Sequence, residues 1–247
     1  GYKGPGEKRQ RTTRLYRWFE EYRSSLMQTL DYVDFEPAKW KGRIPKLGSR
    51  ALVRAFETLL SAGDKNVRTS LLREPGPNVL RYKKSAYNWL SFGRSEAPCF
   101  DSAGRVITQT EYGAVYFRTM AEANAAALLL NGKIQLAFWF AIGDDFHVTN
   151  WMFDELPVDL TWLAAELGPE SERAADHLWE RMQKSVSFKL NAGKQVGNFN
   201  SATLRPLTDQ TDLKICDCLG WGPSLWQDIE LVYAHTVKTQ LDEVTDD

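Results

Sequence analysis

The most apolar stretch of the chain is Ala125–Gly143, and four residues inside it, Asn131, Gly132, Lys133 and Gln135, limit what it can become. A membrane-spanning helix needs about 20 nearly uninterrupted apolar residues. Asn-Gly is a strong turn dipeptide, so the run divides there. It therefore reads as two short helices, Met120–Leu130 and Lys133–Ile142, buried on all sides in a protein core. Thr119 and Glu122 have the spacing of a capping box at the start of the first helix.

Such a core needs covering elements, and hydrophobic periodicity supplies them. Leu15, Trp18, Phe19, Tyr22, Leu26, Met27 and Leu30 recur at helical spacing. Ala51–Ala62 is a second helix, with Leu52, Phe56, Leu59 and Leu60 facing inward and Gly63 as its stop. Val79–Trp89, Phe100–Thr108, Gly113–Phe117 and Asp144–Thr149 are short aromatic or β-branched segments divided by turn residues, which is the pattern of strands. Pro157 reads as a hinge. Beyond it come helices at 159–167, 170–187, 209–219 and 224–240, with a polar Gly/Asn loop at 189–203. The expected class is α+β, a mixed core of short strands and central helices at 79–158. A basic helical section (1–78) precedes it and a helical section (159–247) follows.

Composition excludes several classes. With 43% hydrophobic residues and 9 Trp, 9 Tyr and 12 Phe, the chain buries a core and is not disordered throughout. Three cysteines, Cys99, Cys216 and Cys218, make no disulfide framework and point to a reducing, cytoplasmic setting. The chain begins at Gly1 without a signal peptide and reads as a piece of a longer protein. Its formal charge of −1 conceals an asymmetry. Residues 1–100 hold 20 basic and 10 acidic side chains, a net +10, and the remainder holds 11 and 22, a net −11. Such a split is a compositional sign of a polyanion-facing surface.

Motifs for catalysis are missing. Cys216-x-Cys218 stands alone, with His147, His177 and His235 scattered, so no zinc set forms. There is no GxSxG or GxGxxG, and Asn191–Asn198 lacks the glycine and hydroxyl spacing of a phosphate loop. Asp212-Leu213-Lys214 matches the Asp-x-Lys triplet of metal-dependent nucleases but lies in a helical pattern. Asp144, Asp145 and His147 read as a polar turn. No catalytic or metal-ligating residue is assigned.

Between Leu129-Leu130-Asn131-Gly132 and Leu156-Pro157-Val158 the chain resembles the C-terminal target-recognition (specificity) domains of adenine-N6 DNA methyltransferases from type II restriction–modification systems. Upstream, Leu80-Arg81-Tyr82-Lys83-Lys84-Ser85 looks like the strand that opens such a domain. Downstream, Leu190-Asn191-Ala192-Gly193-Lys194 and Val196-Gly197-Asn198-Phe199-Asn200 look like a late segment of large fused enzymes of this kind. The resemblance covers about residues 79–240. No Pro-Pro dipeptide of the methyltransferase motif is present, nor is a glycine-rich S-adenosylmethionine loop. What it implies is a recognition part that selects double-stranded DNA, partnered with a catalytic methyltransferase domain of the same parent protein. S-adenosylmethionine would serve that parent enzyme, and no cofactor is expected in this chain.

Such a domain must neutralise phosphates and offer side chains to base edges. Lys83, Lys84 and Arg94, interleaved with Tyr87 and Trp89, are one candidate set; a solvated face beside core aromatics is its alternative. Lys189, Asn191, Lys194, Asn198, Asn200 and Arg205, with Gln195 and no acidic residue among them, are the second set, with a flexible surface loop as its alternative. Arg9, Arg11, Arg14, Arg17, Lys39, Lys41, Arg43, Lys46, Arg50 and Arg54 add a basic supply upstream. If the two sets converge, DNA recognition is favoured. A broad exposed apolar patch would favour a protein-interaction or assembly domain, and carboxylates clustered around Asp212 a nuclease.

Overall fold

The computed structural model describes residues 33–62, 65–86, 89–144 and 146–236. In chain order the elements are α1 (Arg50–Ser61), β1 (Asn78–Lys83), β2 (Phe92–Gly93), β3 (Cys99–Phe100), β4 (Tyr112–Phe117), α2 (Met120–Leu130), α3 (Lys133–Ile142), α4 (Asn150–Asp154), α5 (Leu160–Leu167), α6 (Glu170–Lys184), β5 (Val186–Asn191), β6 (Lys194–Phe199), α7 (Arg205–Cys218) and α8 (Pro223–Thr236). Two three-stranded antiparallel sheets form, in the orders β2-β1-β4 and β3-β6-β5. The class is α+β.

Helices α2 and α3 fill the centre. Every residue from Glu122 to Ile142 is buried, so α2 shows no polar face over that stretch and α3 shows none at all. Glu122 caps α2 as the sequence predicts, accepting the Thr119 amide at 3.1 Å while Thr119 Oγ1 accepts the Glu122 amide at 3.2 Å. Helices α5 and α6 cover α2, and α4 and α8 cover α3. No single helix among the described residues is long and apolar enough to cross a membrane. Together α2 and α3 have the length and composition, but they meet at 70° and are buried.

The bend is made by two residues with different duties. Asn131, 1% exposed, acts as a one-residue strand. Its Oδ1 accepts the Phe92 amide at 3.0 Å, and its Nδ2 donates to Phe92 O at 2.9 Å and to Ala127 O at 2.8 Å. Its own carbonyl accepts Trp89 Nε1 at 3.1 Å. This holds β2 against the end of α2.

Gly132 is the N-cap of α3 and has no side chain to cap it. The cap comes from α7, where Asp212 Oδ2 accepts the Lys133 amide at 2.6 Å. A Cβ on Gly132 would lie 2.1 Å from Asp212 Oδ1, so only glycine lets this carboxyl reach the helix end. Asp212 is fully buried, and burial pushes its pKa up to about 8; the Asp209 charge adds to the shift and the Lys133 amide opposes it. Lys133 Nζ lies between Asp209 (2.8 Å) and Glu230 (2.5 Å), 4.5 Å from the Tyr233 ring centroid. The Asp212-Leu213-Lys214 triplet is thereby accounted for as a helix cap, and no group of three His, Cys, Asp or Glu among the described residues could hold a metal ion.

Three expectations are corrected. Val186–Phe199 form a β-hairpin, not the end of a helix followed by a loop. In place of the strand expected at Asp144–Thr149, the described residues of that segment make an isolated bridge, Ser85 to His147, before the chain turns into α4 at Asn150. Leu156-Pro157-Val158 is buried in the core instead of hinging two parts, and the main buried cluster draws on Leu52 and Phe56, on α2 and α3, and on Ile215 and Ile229 alike. The predicted helix around residues 13–30 lies outside the described residues.

Replacing Asn131 by Ala strands two buried groups of Phe92 and should cost roughly 2–4 kcal/mol in urea unfolding. Asn131→Asp should cost more, because a carboxylate would face the Phe92 and Ala127 carbonyls. The native state holds a proton on Asp212 that the unfolded chain has already released. Its contribution to stability therefore falls as pH rises from about 4 to about 8. Asp212→Asn, which keeps the cap acceptor, should flatten that decline in a melting-temperature series against pH.

Candidate nucleic-acid interface

Strands β5 and β6 are joined by a two-residue loop, Ala192-Gly193, with φ of 48° and 75°. Positive φ at both positions is the backbone of the type I′ turn, whose twist matches that of the paired strands. Gly193 adopts it without strain, whereas Ala192 does so against its Cβ.

Side chains alternate along a strand, so the pairing register sorts the hairpin into two faces. Ser187, Lys189 and Asn191 of β5 lie with Lys194, Val196 and Asn198 of β6. On the other face Val186, Phe188 and Leu190 lie with Gln195, Gly197 and Phe199. One face is polar and basic, and the other is largely apolar.

The hairpin is anchored at its base. Phe199 meets Trp179 of α6 at 5.7 Å, and Phe188 meets Phe100 of β3 at 5.8 Å. Gly197 donates its amide to Pro98 O at 2.9 Å, and a Cβ there would lie 2.3 Å from that oxygen. Gln109 Nε2 joins Ala97 O (2.8 Å) to Gly197 O (3.1 Å). β3 pairs with Val196 and Gln195, so only the Asn191–Lys194 rung and the turn extend beyond its paired residues. Asp101, the residue after β3, is bound by Arg105 Nε at 2.8 Å and by its own turn amides.

Lys83, at the end of β1, donates from Nζ to Asn198 Oδ1 on the polar face. This joins the two sequence segments that carry the candidate residues. Lys83 is half-buried, and that burial lowers its pKa below the ordinary lysine value; Glu111 opposes the shift and Lys189 adds to it. Lys84 is exposed and its Nζ reaches Thr110 O at 3.5 Å. Beside it the chain bridges to His147, whose exposed ring bonds Asp144 through Nδ1 at 2.6 Å.

Five of the eleven candidates therefore meet around one surface: Lys83, Lys189, Asn191, Lys194 and Asn198. Others do not join it. Arg94 is bound to Asp176 of α6 at 2.6 Å and to Asn124 at 3.2 Å. Trp89 is part-buried, makes a T-shaped contact with Tyr233 at 5.5 Å and donates to Asn131 O. Arg205 lies over the Tyr233 ring at 4.8 Å and the Trp89 ring at 5.9 Å. The Asn200 amide bonds Ser185 O at 3.0 Å where the hairpin returns to helix. Tyr87, Arg9, Arg11, Arg14 and Arg17 lie outside the described residues. In the upstream basic supply, Lys39 is paired with Glu36, and Lys41 and Arg43 with Glu155.

Sequence reading did not include Ser187, which the register places on the polar face. For Ser187 the signal was present, since Val186 to Asn191 alternates apolar and polar residues before Ala-Gly. No protein-family model, curated protein or solved structure matches the chain.

Relief of the positive φ at residue 192 should tighten the hairpin. Ala192→Gly should stabilise it by about 0.5–1 kcal/mol, seen as slower amide exchange in β5 and β6.

Proposed function

We propose that the chain recognises double-stranded DNA, serving as the specificity part of an adenine-N6 DNA methyltransferase or restriction–modification enzyme in the cytoplasm. The observation that carries this reading is the polar face of the β5–β6 hairpin, where register and the Lys83–Asn198 bond gather three lysines and two asparagines. Lysines supply the charge that displaces counterions from phosphates, and asparagines supply paired donors and acceptors for base edges. No acidic residue occurs between Glu180 and Asp209, although this half of the chain carries net negative charge. Methyl transfer from S-adenosylmethionine would belong to a catalytic domain of the same parent protein, since the residues here supply no motif for it.

A second reading, docking of another protein, is favoured by the opposite face. Leu190 is 78% exposed and Phe188 48% exposed there, and Val106, bridged to Phe100, is 75% exposed. Such a face suits contact with a protein surface.

Binding of a mixed-sequence duplex, followed by fluorescence anisotropy across a salt series, tests the DNA reading. Affinity should fall steeply with salt. Lys189→Ser should weaken binding on all sequences and reduce the log–log salt slope by about one. Salt-insensitive binding, or none at low salt, overturns the reading.

A further inference from the structure

We infer that the β5–β6 hairpin is the base-reading element, a two-stranded ribbon that enters the major groove of B-form DNA with Asn191 and Lys194 directed at base edges. This rests on the DNA reading and adds the groove, the element and the reading residues.

Shape selects the groove. A two-stranded ribbon fits the major groove, about 12 Å wide, and is too broad for the minor groove at about 6 Å. Each strand has six residues and so reaches roughly 20 Å, and the Asn191–Lys194 rung with its turn extends beyond the residues paired to β3. The two-residue turn keeps that tip narrow. In A-form RNA the major groove is too narrow for side chains to read. Single strands are bound by stacking bases on aromatic rings, and the polar face of this hairpin has none; Phe188 and Phe199 lie on the other face.

Chemistry selects the residues. Asn191 and Lys194 are the pair directly opposed across the last rung before the turn, both exposed and both on the polar face. An asparagine amide matches the N6 and N7 edge of adenine, and a lysine matches O6 and N7 of guanine. Lys189 and Lys83 lie behind them toward the base of the hairpin, placed for phosphates at the groove edge. Asn198 is already engaged by Lys83, which makes that pair an anchor and not a reader. Gln195, although polar and exposed, points to the opposite face.

The test is selection of bound duplexes from a randomised-sequence pool by the chain as it exists, repeated with 7-deazapurines in place of adenine and guanine. That replacement removes the major-groove N7 acceptors and leaves phosphates and minor groove intact. The expected result is an enriched motif that is lost with 7-deazapurines. Asn191→Ala and Lys194→Ala should each relax one base position and weaken the selected site by about 5- to 150-fold. Gln195→Ala should leave the motif unchanged. A motif that survives 7-deazapurines, or one indifferent to Asn191→Ala and Lys194→Ala, overturns the inference. Salt-dependent binding with no motif overturns it while the DNA reading stands. No binding at low salt overturns both.

Discussion

Two buried helices meet at Asn131 and Gly132, and the rest of the molecule is arranged around that junction. The side chain of Asn131 pairs with both backbone groups of Phe92, which fixes β2 and, through the Arg81–Gly93 register, β1 with Lys83 at its end. Gly132 leaves room for Asp212, which fixes the position of α7 and with it the chain that arrives from β6. The two halves of the polar face are thus tied to adjacent residues of one buried turn. A buried break between helices strands backbone donors and acceptors, and satisfying them is obligatory. Here the atoms that satisfy them come from distant segments and bring those segments together.

The charge distribution makes more sense at this level than in totals. Many cations of the described residues are committed: Lys39, Lys41, Arg43 and Arg94 to carboxylates, and Lys133 to two carboxylates beneath an aromatic ring. The net +10 of the first hundred residues therefore overstates what those segments present to a partner. Within the negative half, by contrast, the hairpin is a local positive island with its lysines on the surface. Lys133 is buried where a charge would be costly alone, and Asp209 and Glu230 offset that cost by direct bonding.

Much of the helical framework was legible in the sequence. The limits of α2 and α3 follow from Asn-Gly inside an apolar run, and the capping box at Thr119 follows from spacing. Both are local effects, set within a few residues along the chain. The hairpin was misread because its glycines and asparagines suggested a loop, although the alternation around Ala192-Gly193 was there to be counted. Trp89 and Arg205 were read as exposed contacts. Their sequence neighbourhoods cannot reveal that each packs against Tyr233, which comes from α8.

The sequence by itself determined that the chain has a fully buried helical pair, where that pair breaks, and which two segments hold lysines and asparagines without acidic neighbours. Periodicity and composition are properties of adjacent residues, so they can be read without coordinates. Only the tertiary structure decided that Asn131 would complete a strand, that Asp212 would cap a helix on another part of the chain, and that Lys83 would reach Asn198. Those outcomes depend on hydrogen-bond partners supplied across 39, 79 and 115 residues of sequence. It also decided which candidates share a face: a shift of one residue in the β5–β6 register would send Lys189 and Asn191 to the opposite side.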